Sequence, residues 1–189
     1  MKTMNRILLL ASAFIIFSSC VKEKLETTYN RQEDQIDKYI ASNMYVKYTE
    51  DGETRTDTLE VVYNGGSSRL ILEEGTGEKL TDKGTVSFYY AGYTFTGSKP
   101  SASTLFTTNH QETAASWPLT DQNFSICTVD MRKEELVEGL KKGLVGVRSN
   151  EHCQILFSGK YAFGKKTLGI IPANSAVLFE IWVEAVSND

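Results

Sequence analysis

Aromatic and aliphatic side chains are combined with turn residues between positions 161 and 179. The segment reads Tyr-Ala-Phe-Gly at 161–164, then Lys-Lys-Thr-Leu, then Gly-Ile-Ile-Pro-Ala-Asn-Ser-Ala-Val-Leu-Phe at 169–179. An aromatic turn, two aliphatic residues fixed by Pro172 and a strand that ends on Phe179 would line an apolar pocket. Such a pocket contains no ionisable catalyst, which is unusual for an active site.

Rotation about an X-Pro peptide bond is the reaction that this kind of pocket favours. The planar amide is resonance-stabilised and polar, and the barrier to its rotation is about 18–20 kcal/mol. The twisted amide has lost that resonance, so its carbonyl is less polar. Apolar walls therefore bind the twisted state better than the planar state, and this difference is sufficient for catalysis without a nucleophile.

Two further motifs precede this segment. Residues 86–92 read Val-Ser-Phe-Tyr-Tyr-Ala-Gly, and residues 136–144 read Leu-Val-Glu-Gly-Leu-Lys-Lys-Gly-Leu. They resemble the Val-x-Val-x-Tyr-x-Gly strand and the Val-Ile-x-Gly-Trp-x-x-Gly-Leu helix of FK506-binding-protein (FKBP) domains. From Gly143 to Gly164 the spacing fits that family without a gap, and the Gly-Ile-Ile-Pro element follows one residue sooner than usual. Residues from about 68 to 186 therefore resemble an FKBP domain.

The resemblance implies an α+β fold, in which a twisted antiparallel β-sheet is half-wrapped around one short helix. It also implies peptidyl-prolyl cis-trans isomerase activity towards proline-containing polypeptides, with no cofactor and no metal. The backbone N–H of Val137 is the group expected to hold the substrate carbonyl. The expected catalytic walls are Tyr90, Phe106, Phe163 and Phe179. The expected substrate-binding residues are Phe124, Leu136, Val137, Leu140, Ile170, Ile171 and Thr107.

Three positions depart from the pattern of the family. Leu140 stands in place of the usual tryptophan floor, which keeps the floor apolar and makes it shallower. Phe163 replaces a tyrosine whose hydroxyl bonds the ligand carbonyl, a loss worth about 0.5–1.5 kcal/mol. Thr107 stands where the family has an aspartate that orients the hydrogen bonds of the pocket. Thr108 and Asn109 are the nearest polar residues to consider as substitutes for it.

These departures leave functions of different classes open. One is a lipid-anchored isomerase that assists proteins folding in the bacterial cell envelope. Another is an FKBP-like binding module that has lost catalysis and recognises a proline-containing or apolar segment of a partner. A third, a component of a nutrient-uptake lipoprotein system, requires a sugar-binding aromatic shelf, which the sequence does not locate.

The first residues predict a lipoprotein signal. Lys2 and Arg6 precede an apolar run at 7–17, whose 11 residues are too few to span about 30 Å of hydrocarbon. The segment Phe-Ser-Ser-Cys at 17–20 resembles a bacterial lipobox, so the mature chain is expected to begin at an acylated Cys20. An ordinary cleaved signal peptide with an incidental cysteine is the alternative. Val21 and Lys22 follow without aspartate, which favours the outer membrane and leaves the membrane face open.

Composition and residue counts exclude several other classes of site. A net charge of −4 and a pI near 5.3 give no basic footprint for nucleic acid. Two histidines and no Cys-x-x-Cys pair exclude a His-rich or zinc-ribbon metal site. By comparison with the family, Cys127 and Cys153 would lie two or more strands apart, so both are expected to be free thiols.

The chain is expected to divide into a signal peptide (1–19), an extension with a tether, a short helix and a hairpin (20–66), and an FKBP-like domain (67–189). Ile36, Tyr39 and Ile40 have helical spacing within 29–40. That helix is either a spacer or dimerisation arm, or it covers an edge of the domain. A hairpin is expected between residues 44–48 and 59–63 around Asp51-Gly52, and Asn64-Gly65-Gly66 is expected to end the extension.

Within the domain, strands are expected at 69–73, 85–93, 124–129, 153–157 and 176–186, and a helix at 134–144. Gly139 and Gly143 share one side of that helix, where the missing Cβ atoms would let it approach the sheet. The connection from Gly92 to Phe124 is longer than in a minimal FKBP domain. This loop offers a second surface for unfolded chains, or it is held against the domain by Trp117.

Overall fold

The computed structural model describes residues 2–115, 123–133 and 136–189, with side chains from residue 22 onward. Trp117, Glu134, Glu135 and the side chain of Cys20 lie outside the described residues. Among the described residues, the main sheet has seven antiparallel strands in the order β3-β4-β8-β9-β5-β6, with β7 also pairing to β5. They are β3 (Val61–Asn64), β4 (Ser67–Glu73), β5 (Thr85–Thr94), β6 (Leu105–Thr108), β7 (Cys127–Asp130), β8 (His152–Phe157) and β9 (Val177–Ser187). A short helix, α2 (Gln111–Ala114), follows β6. The α+β class predicted from the sequence is confirmed.

Helix α1 (Lys2–Asn43) precedes the sheet and includes the whole segment predicted as tether and short helix. Residues 21–29, expected as a tether, are helical. Ile36, Tyr39 and Ile40 are buried against the sheet, so the prediction of an amphipathic helix at 29–40 is confirmed. The helix covers the domain, as one of the two alternatives expected. Among the residues searched, no helix is both long and apolar enough to cross a membrane.

A hairpin follows α1, as predicted, but its second strand is not the predicted segment. Strand β1 (Tyr45–Glu50) pairs with β2 (Glu53–Thr58) around Asp51-Gly52. The apolar run at 59–63 contributes instead to β3, which pairs with β4 through a turn at Gly65-Gly66. Those glycines therefore join two strands of the main sheet and do not separate the extension from it.

The two faces of the sheet have separate cores, because side chains alternate along each strand. On one face, Ile155 and Phe157 of β8 belong to a cluster with residues of the helix α3 (Glu138–Leu144). On the other face, Leu156 belongs to a cluster with Ile36 and Ile40 of α1. The chain thus places a helix on each side of one sheet.

Helix α3 approaches the sheet closely at its two glycines, as the sequence predicted. A Cβ atom added at Gly139 would lie 2.3 Å from ring atoms of Phe157, and one at Gly143 would lie 2.2 Å from Ile155 Cγ2. The helix begins at Glu138, later than the expected 134, because Val137 has an extended backbone with φ −61° and ψ 145°. At the other end, Arg69 Nη1 donates to the Gly143 and Val145 carbonyls at 2.7 and 2.9 Å.

Cys127 and Cys153 are not joined by a disulfide bond, as their predicted strand positions required. Cys127 lies on β7 and Cys153 on β8, with β5 and β9 between them. Cys153 is fully buried, and burial raises the pKa of its thiol well above the ordinary value. It therefore packs as a small apolar side chain.

Candidate functional site

A cavity of about 230 Å³ lies beside the start of α3, where β5, β6 and β7 meet the loop after β8. Of the described residues that line it, none carries a formal charge at neutral pH. The four expected catalytic aromatics and four of the expected substrate-binding residues are brought together here. The lining residues are Phe88, Tyr90, Phe106, Thr107, Cys127, Leu136, Val137, Leu140, Phe163 and Phe179.

The aromatic walls are organised around Phe106. Its ring centroid lies 5.9 Å from that of Phe163 and 5.7 Å from that of Phe179, and both pairs are edge-to-face at 87°. Tyr90 extends the wall, with its ring 6.4 Å from Phe179. On the core side, Phe157 stacks on Phe179 at 6.1 Å and 13°. Edge-to-face contacts of this kind fix ring orientations, so the wall is held in one shape.

Gly92 permits this convergence of rings. It lies on β5 opposite Phe179 of β9 and Thr107 of β6. A Cβ atom at position 92 would lie 2.8 Å from the ring of Phe106 and 2.9 Å from that of Phe179. The glycine of the Val-Ser-Phe-Tyr-Tyr-Ala-Gly motif is therefore required by the packing of the pocket wall.

The floor and one wall of the cavity come from the start of α3. Leu140 is 5% exposed and is part of the core. Val137 precedes the helix, and its carbonyl accepts from the Lys141 N–H at 3.0 Å. No group in the described residues accepts a hydrogen bond from the Val137 N–H. The next turn is fixed to the neighbouring loop, because the Gly139 N–H donates to the Tyr161 carbonyl at 2.9 Å.

Only one of the three polar residues considered near position 107 faces the cavity. Thr107 lines it, whereas Thr108 and Asn109 do not. The Thr108 hydroxyl donates to the Tyr90 carbonyl at 2.7 Å, and Asn109 Oδ1 accepts from the Tyr90 N–H at 2.6 Å. Asn109 Nδ2 also donates to the Ser125 carbonyl at 3.0 Å. These two side chains fix the backbone around Tyr90 and do not replace the missing aspartate.

Three expected wall residues lie elsewhere. Phe124 is 39% exposed and precedes β7, and it lines a different cavity with Tyr89, whose side chain alternates with those of Phe88 and Tyr90 along β5. Ile171 is buried, and it is not among the residues that line the cavity. Ile170 is 60% exposed at the tip of a turn. The structure therefore does not bring these three residues to the cavity.

Two lining residues were missed by the sequence reasoning. Phe88 is two positions before Tyr90, so strand alternation puts both side chains on one face of β5. Cys127 lies directly across from Phe88 in the β5–β7 pair. The two-residue period of the strand could have identified Phe88. Identifying Cys127 required the register between two strands that a long connection separates.

The opposite face of the sheet carries an aromatic group. The Trp182 ring is stacked between His110, at 3.9 Å and 13°, and His152, at 4.9 Å and 16°. His152 Nε2 in turn lies 3.0 Å from Glu180 Oε1. Imidazole rings thus cover both faces of Trp182, which leaves no open stacking face for a sugar. Among the described residues, no group of three or more His, Cys, Asp and Glu side chains is placed to hold a metal ion.

The loop that carries Phe163 is held at both ends by α1. Tyr29 Oη donates to Asn174 Oδ1, and Gln32 Nε2 donates to the Asn174 carbonyl, both at 2.8 Å. At the other end, the Gly159 N–H donates to Gln32 Oε1, also at 2.8 Å. One helix turn of α1 therefore fixes the base of residues 158–174, from which Phe163 reaches the cavity.

Known proteins resemble this chain in sequence and in fold. The model of the family described as FKBP-type peptidyl-prolyl cis-trans isomerase matches residues 76–184. The chain is 29% identical over 126 residues to the inactive peptidyl-prolyl cis-trans isomerase FKBP6 of Mus musculus, a match that covers 65% of this chain and 33% of that protein. Its Equus caballus counterpart is also 29% identical over 126 residues, with 65% of this chain and 34% of that protein covered. The chain thus spans about a third of the length of these curated relatives.

Solved structures show the same fold. The crystal structure of FkpA from Escherichia coli has a TM-score of 0.54 at 18% identity, covering 94% of this chain and 71% of that one. The three FKBP domains of wheat FKBP73 have a TM-score of 0.55 at 19% identity, covering 72% of this chain and 54% of that one. At these identities the likeness concerns the fold alone.

Proposed function

Since the chain belongs to the family of FKBP-type peptidyl-prolyl cis-trans isomerases, we propose that it accelerates the rotation of X-Pro bonds in other polypeptides. The observation that carries the proposal is the convergence of Phe106, Phe163, Phe179 and Tyr90 on one uncharged cavity. A proline ring fits among such walls. The twisted amide, being less polar than the planar amide, gains more from them.

Each wall has a role in the proposed reaction. The rings around Phe106 exclude water from the rotating bond, and Leu140 closes the floor. The Val137 N–H donates to the carbonyl that precedes the proline and orients it as the bond turns. Thr107 supplies a hydroxyl at the rim, where the family has a carboxylate.

The proposed rate is low because two polar groups of the family pattern are missing. Phe163 has no hydroxyl, and Thr107 cannot accept hydrogen bonds as a carboxylate does. Each such bond contributes about 0.5–1.5 kcal/mol, so the pair lowers the rate by about fivefold to 150-fold. The uncatalysed reaction takes about 10–100 s at 25 °C, which leaves room for a measurable acceleration.

A proline-isomerisation assay on the protein tests this proposal. We expect the wild-type protein to accelerate cis-to-trans conversion of a proline-containing tetrapeptide, and Phe106→Ala to lose most of that acceleration. Tyr63→Ala, an exposed tyrosine outside the cavity, is the matched control and should behave as wild type. A folded wild-type protein that leaves the uncatalysed rate unchanged would overturn the enzymatic proposal.

The second candidate function is a binding module that uses the same cavity without catalysis. The FKBP6 relatives are named as inactive isomerases, which favours this function, and so do Phe163 and Thr107. In this case a proline-containing peptide binds and is protected from exchange of isomers. Nuclear magnetic resonance titration of such a peptide should then perturb Phe163 and Phe179 in wild type, with no acceleration of isomer exchange.

We further propose that the protein acts in the bacterial cell envelope, held to the outer membrane by acyl chains on Cys20. Support comes from the lipobox-like Phe-Ser-Ser-Cys segment after a short apolar run. Several acyl chains together attach a protein stably, which one chain does not. The variant Cys20→Ser should leave the membrane fraction, whereas Ser19→Ala should stay in it. A Cys20→Ser variant that remains membrane-bound would contradict the anchor.

A further inference from the structure

The loop between β8 and β9 has a charge opposite to that of the rest of the chain. Residues 158–174 contain Lys160, Lys165 and Lys166 and no aspartate or glutamate, whereas the whole chain has a net charge of −4. Two large aliphatic side chains of the same loop face solvent, since Leu168 is 55% and Ile170 is 60% exposed. Positive charge and exposed aliphatic surface are thus combined in one loop.

This exposure is fixed by the backbone of the turn. The Leu168 N–H donates to the Ile171 carbonyl at 3.0 Å, and the Ile171 N–H donates to the Leu168 carbonyl at 2.9 Å. Below the turn, the Asn174 N–H donates to the Gly164 carbonyl at 2.7 Å. Ile171 is buried, while Leu168 and Ile170 are left outside. We call Leu168, Ile170, Lys160, Lys165 and Lys166 the loop tip.

Two lysines of the loop tip lie next to the first α1 residues whose side chains the structure describes. Lys160 and Lys165 line a cavity of about 260 Å³ together with Lys22 and Leu25, and Glu26 and Glu33 of the same cavity offset part of their positive charge. Cys20 precedes Lys22 by two residues, which is about 3 Å along a helix. The polar layer on each side of a bilayer is about 5–7 Å thick. Acyl chains on Cys20 would therefore bring these lysines to the level of the lipid headgroups.

We propose that the loop tip is a docking surface for an anionic lipid bilayer. Leu168 and Ile170 enter the boundary between headgroups and acyl chains, and the lysines bind anionic headgroups. The position at the bilayer rests on the proposed acylation of Cys20. The sign of the charge favours lipid over a substrate polypeptide, since no fixed charge is common to unfolded chains. The docked domain holds the Phe163 cavity next to the membrane surface.

Quenching of a fluorophore by lipids tests the proposal on the full-length acylated protein. The dye NBD is attached to Ile170→Cys in a Cys127→Ser background, in which Cys153 is buried and unreactive. The matched control carries the dye at Thr56→Cys in the exposed β1–β2 hairpin. On phosphatidylcholine vesicles with phosphatidylglycerol and nitroxide lipids, we expect quenching at position 170 to be at least threefold that at position 56. Equal quenching at both positions would overturn the proposal.

Charge variants sharpen the test. Lys165→Glu with Lys166→Glu should reduce quenching at position 170 to the control value, because each lysine near an anionic surface contributes about fivefold to binding. Lys165→Arg with Lys166→Arg should keep it. If the vesicles do not quench the dye at position 170 but an unfolded, proline-rich polypeptide changes its fluorescence, the loop tip is a substrate contact. That result would overturn lipid docking. Attachment of Cys20→Ser to membranes is scored separately, so failed acylation and a failed loop tip give different results.

Discussion

The two faces of the main sheet are packed by different means. On one face, α3 lies so close at Gly139 and Gly143 that no Cβ fits, and the aromatic rings beside it enclose a cavity. On the other face, α1 fills the contact with Ile36, Tyr39 and Ile40, and Tyr39 Oη donates to Gln154 Oε1 at 2.9 Å. Backbone proximity on one side thus leaves side chains free to form a pocket. Long side chains on the other side are used entirely for attachment.

The largest effects should come from truncating one buried side chain on each face. Phe179→Ala and Ile40→Ala should each lower the free energy of unfolding by about 3 kcal/mol, because both remove buried apolar groups. Only Phe179→Ala should also lower kcat/KM of the folded protein, by at least tenfold. Urea denaturation and the isomerisation assay measure the two quantities. An equal loss of kcat/KM in Ile40→Ala would erase the distinction between the faces.

Because α3 lies so close to the sheet, replacing one of its glycines by alanine should change stability in the direction opposite to that expected from helix propensity. In an exposed helix, replacing glycine by alanine stabilises by about 1 kcal/mol. At Gly139 the new Cβ would meet ring atoms of buried Phe157 at 2.3 Å, so we expect Gly139→Ala to destabilise by about 2 kcal/mol.

The control for this variant is Lys141→Ala in the same helix. Its Nζ donates to the Lys133 carbonyl at the surface, and its loss should change stability by less than about 0.5 kcal/mol. Guanidinium unfolding compares the two variants. Stabilisation by Gly139→Ala would mean that α3 can move away from the sheet at little cost.

Restoring the polar rim should raise activity without changing the walls. Thr107→Asp combined with Phe163→Tyr should raise kcat/KM by about fivefold to 150-fold, since the hydroxyl that bonds the substrate carbonyl and the carboxylate that orients the hydrogen bonds of the pocket are regained. Phe124→Tyr adds a hydroxyl outside the cavity and should change nothing. If the wild-type protein is folded but inactive and the double variant is inactive as well, the cavity is blocked or misshapen.

The smallest effect is expected at the contact between α1, on one face of the sheet, and the loop that carries Phe163 on the other. Tyr29→Phe removes the hydrogen bond from α1 to Asn174, which costs about 1 kcal/mol and loosens the loop that positions Phe163. We expect kcat/KM to fall about twofold to threefold. Tyr48→Phe, on the exposed β1 strand, is the control. If Tyr29→Phe and Tyr48→Phe are indistinguishable in the isomerisation assay, α1 attaches the loop without tuning the cavity.

Site residues were predicted most completely within the ordered motifs at 136–164. Leu136, Val137, Leu140 and Phe163 belong to these motifs, and all of them line the cavity, as do Tyr90, Phe106, Thr107 and Phe179 from outside them. Phe124 follows the long connection after β6, where spacing no longer indicates register, and it lines a different cavity. Ile170 lies outside the cavity because the turn closed by the Leu168–Ile171 bridge leaves it exposed.

The hairpin shows why strand pairing was harder to predict than strand existence. Residues 53–58 read Glu-Thr-Arg-Thr-Asp-Thr, with no apolar residue to mark a buried face, so the apolar run at 59–63 was taken as the partner of β1. All six residues of β2 are exposed, and a strand without a buried face has no periodic signal. The helix start was also missed, because the extended backbone of Val137 follows from tertiary packing.

The continuous course of α1 has a consequence for how far the domain can reach from an anchor at Cys20. A flexible linker of nine residues, such as 21–29, would let the domain sweep a radius of about 15–18 Å in all directions. The same residues in a helix hold it at a fixed separation of about 13 Å. Under the proposed acylation of Cys20, client chains would therefore meet the domain only within a thin layer close to the membrane surface.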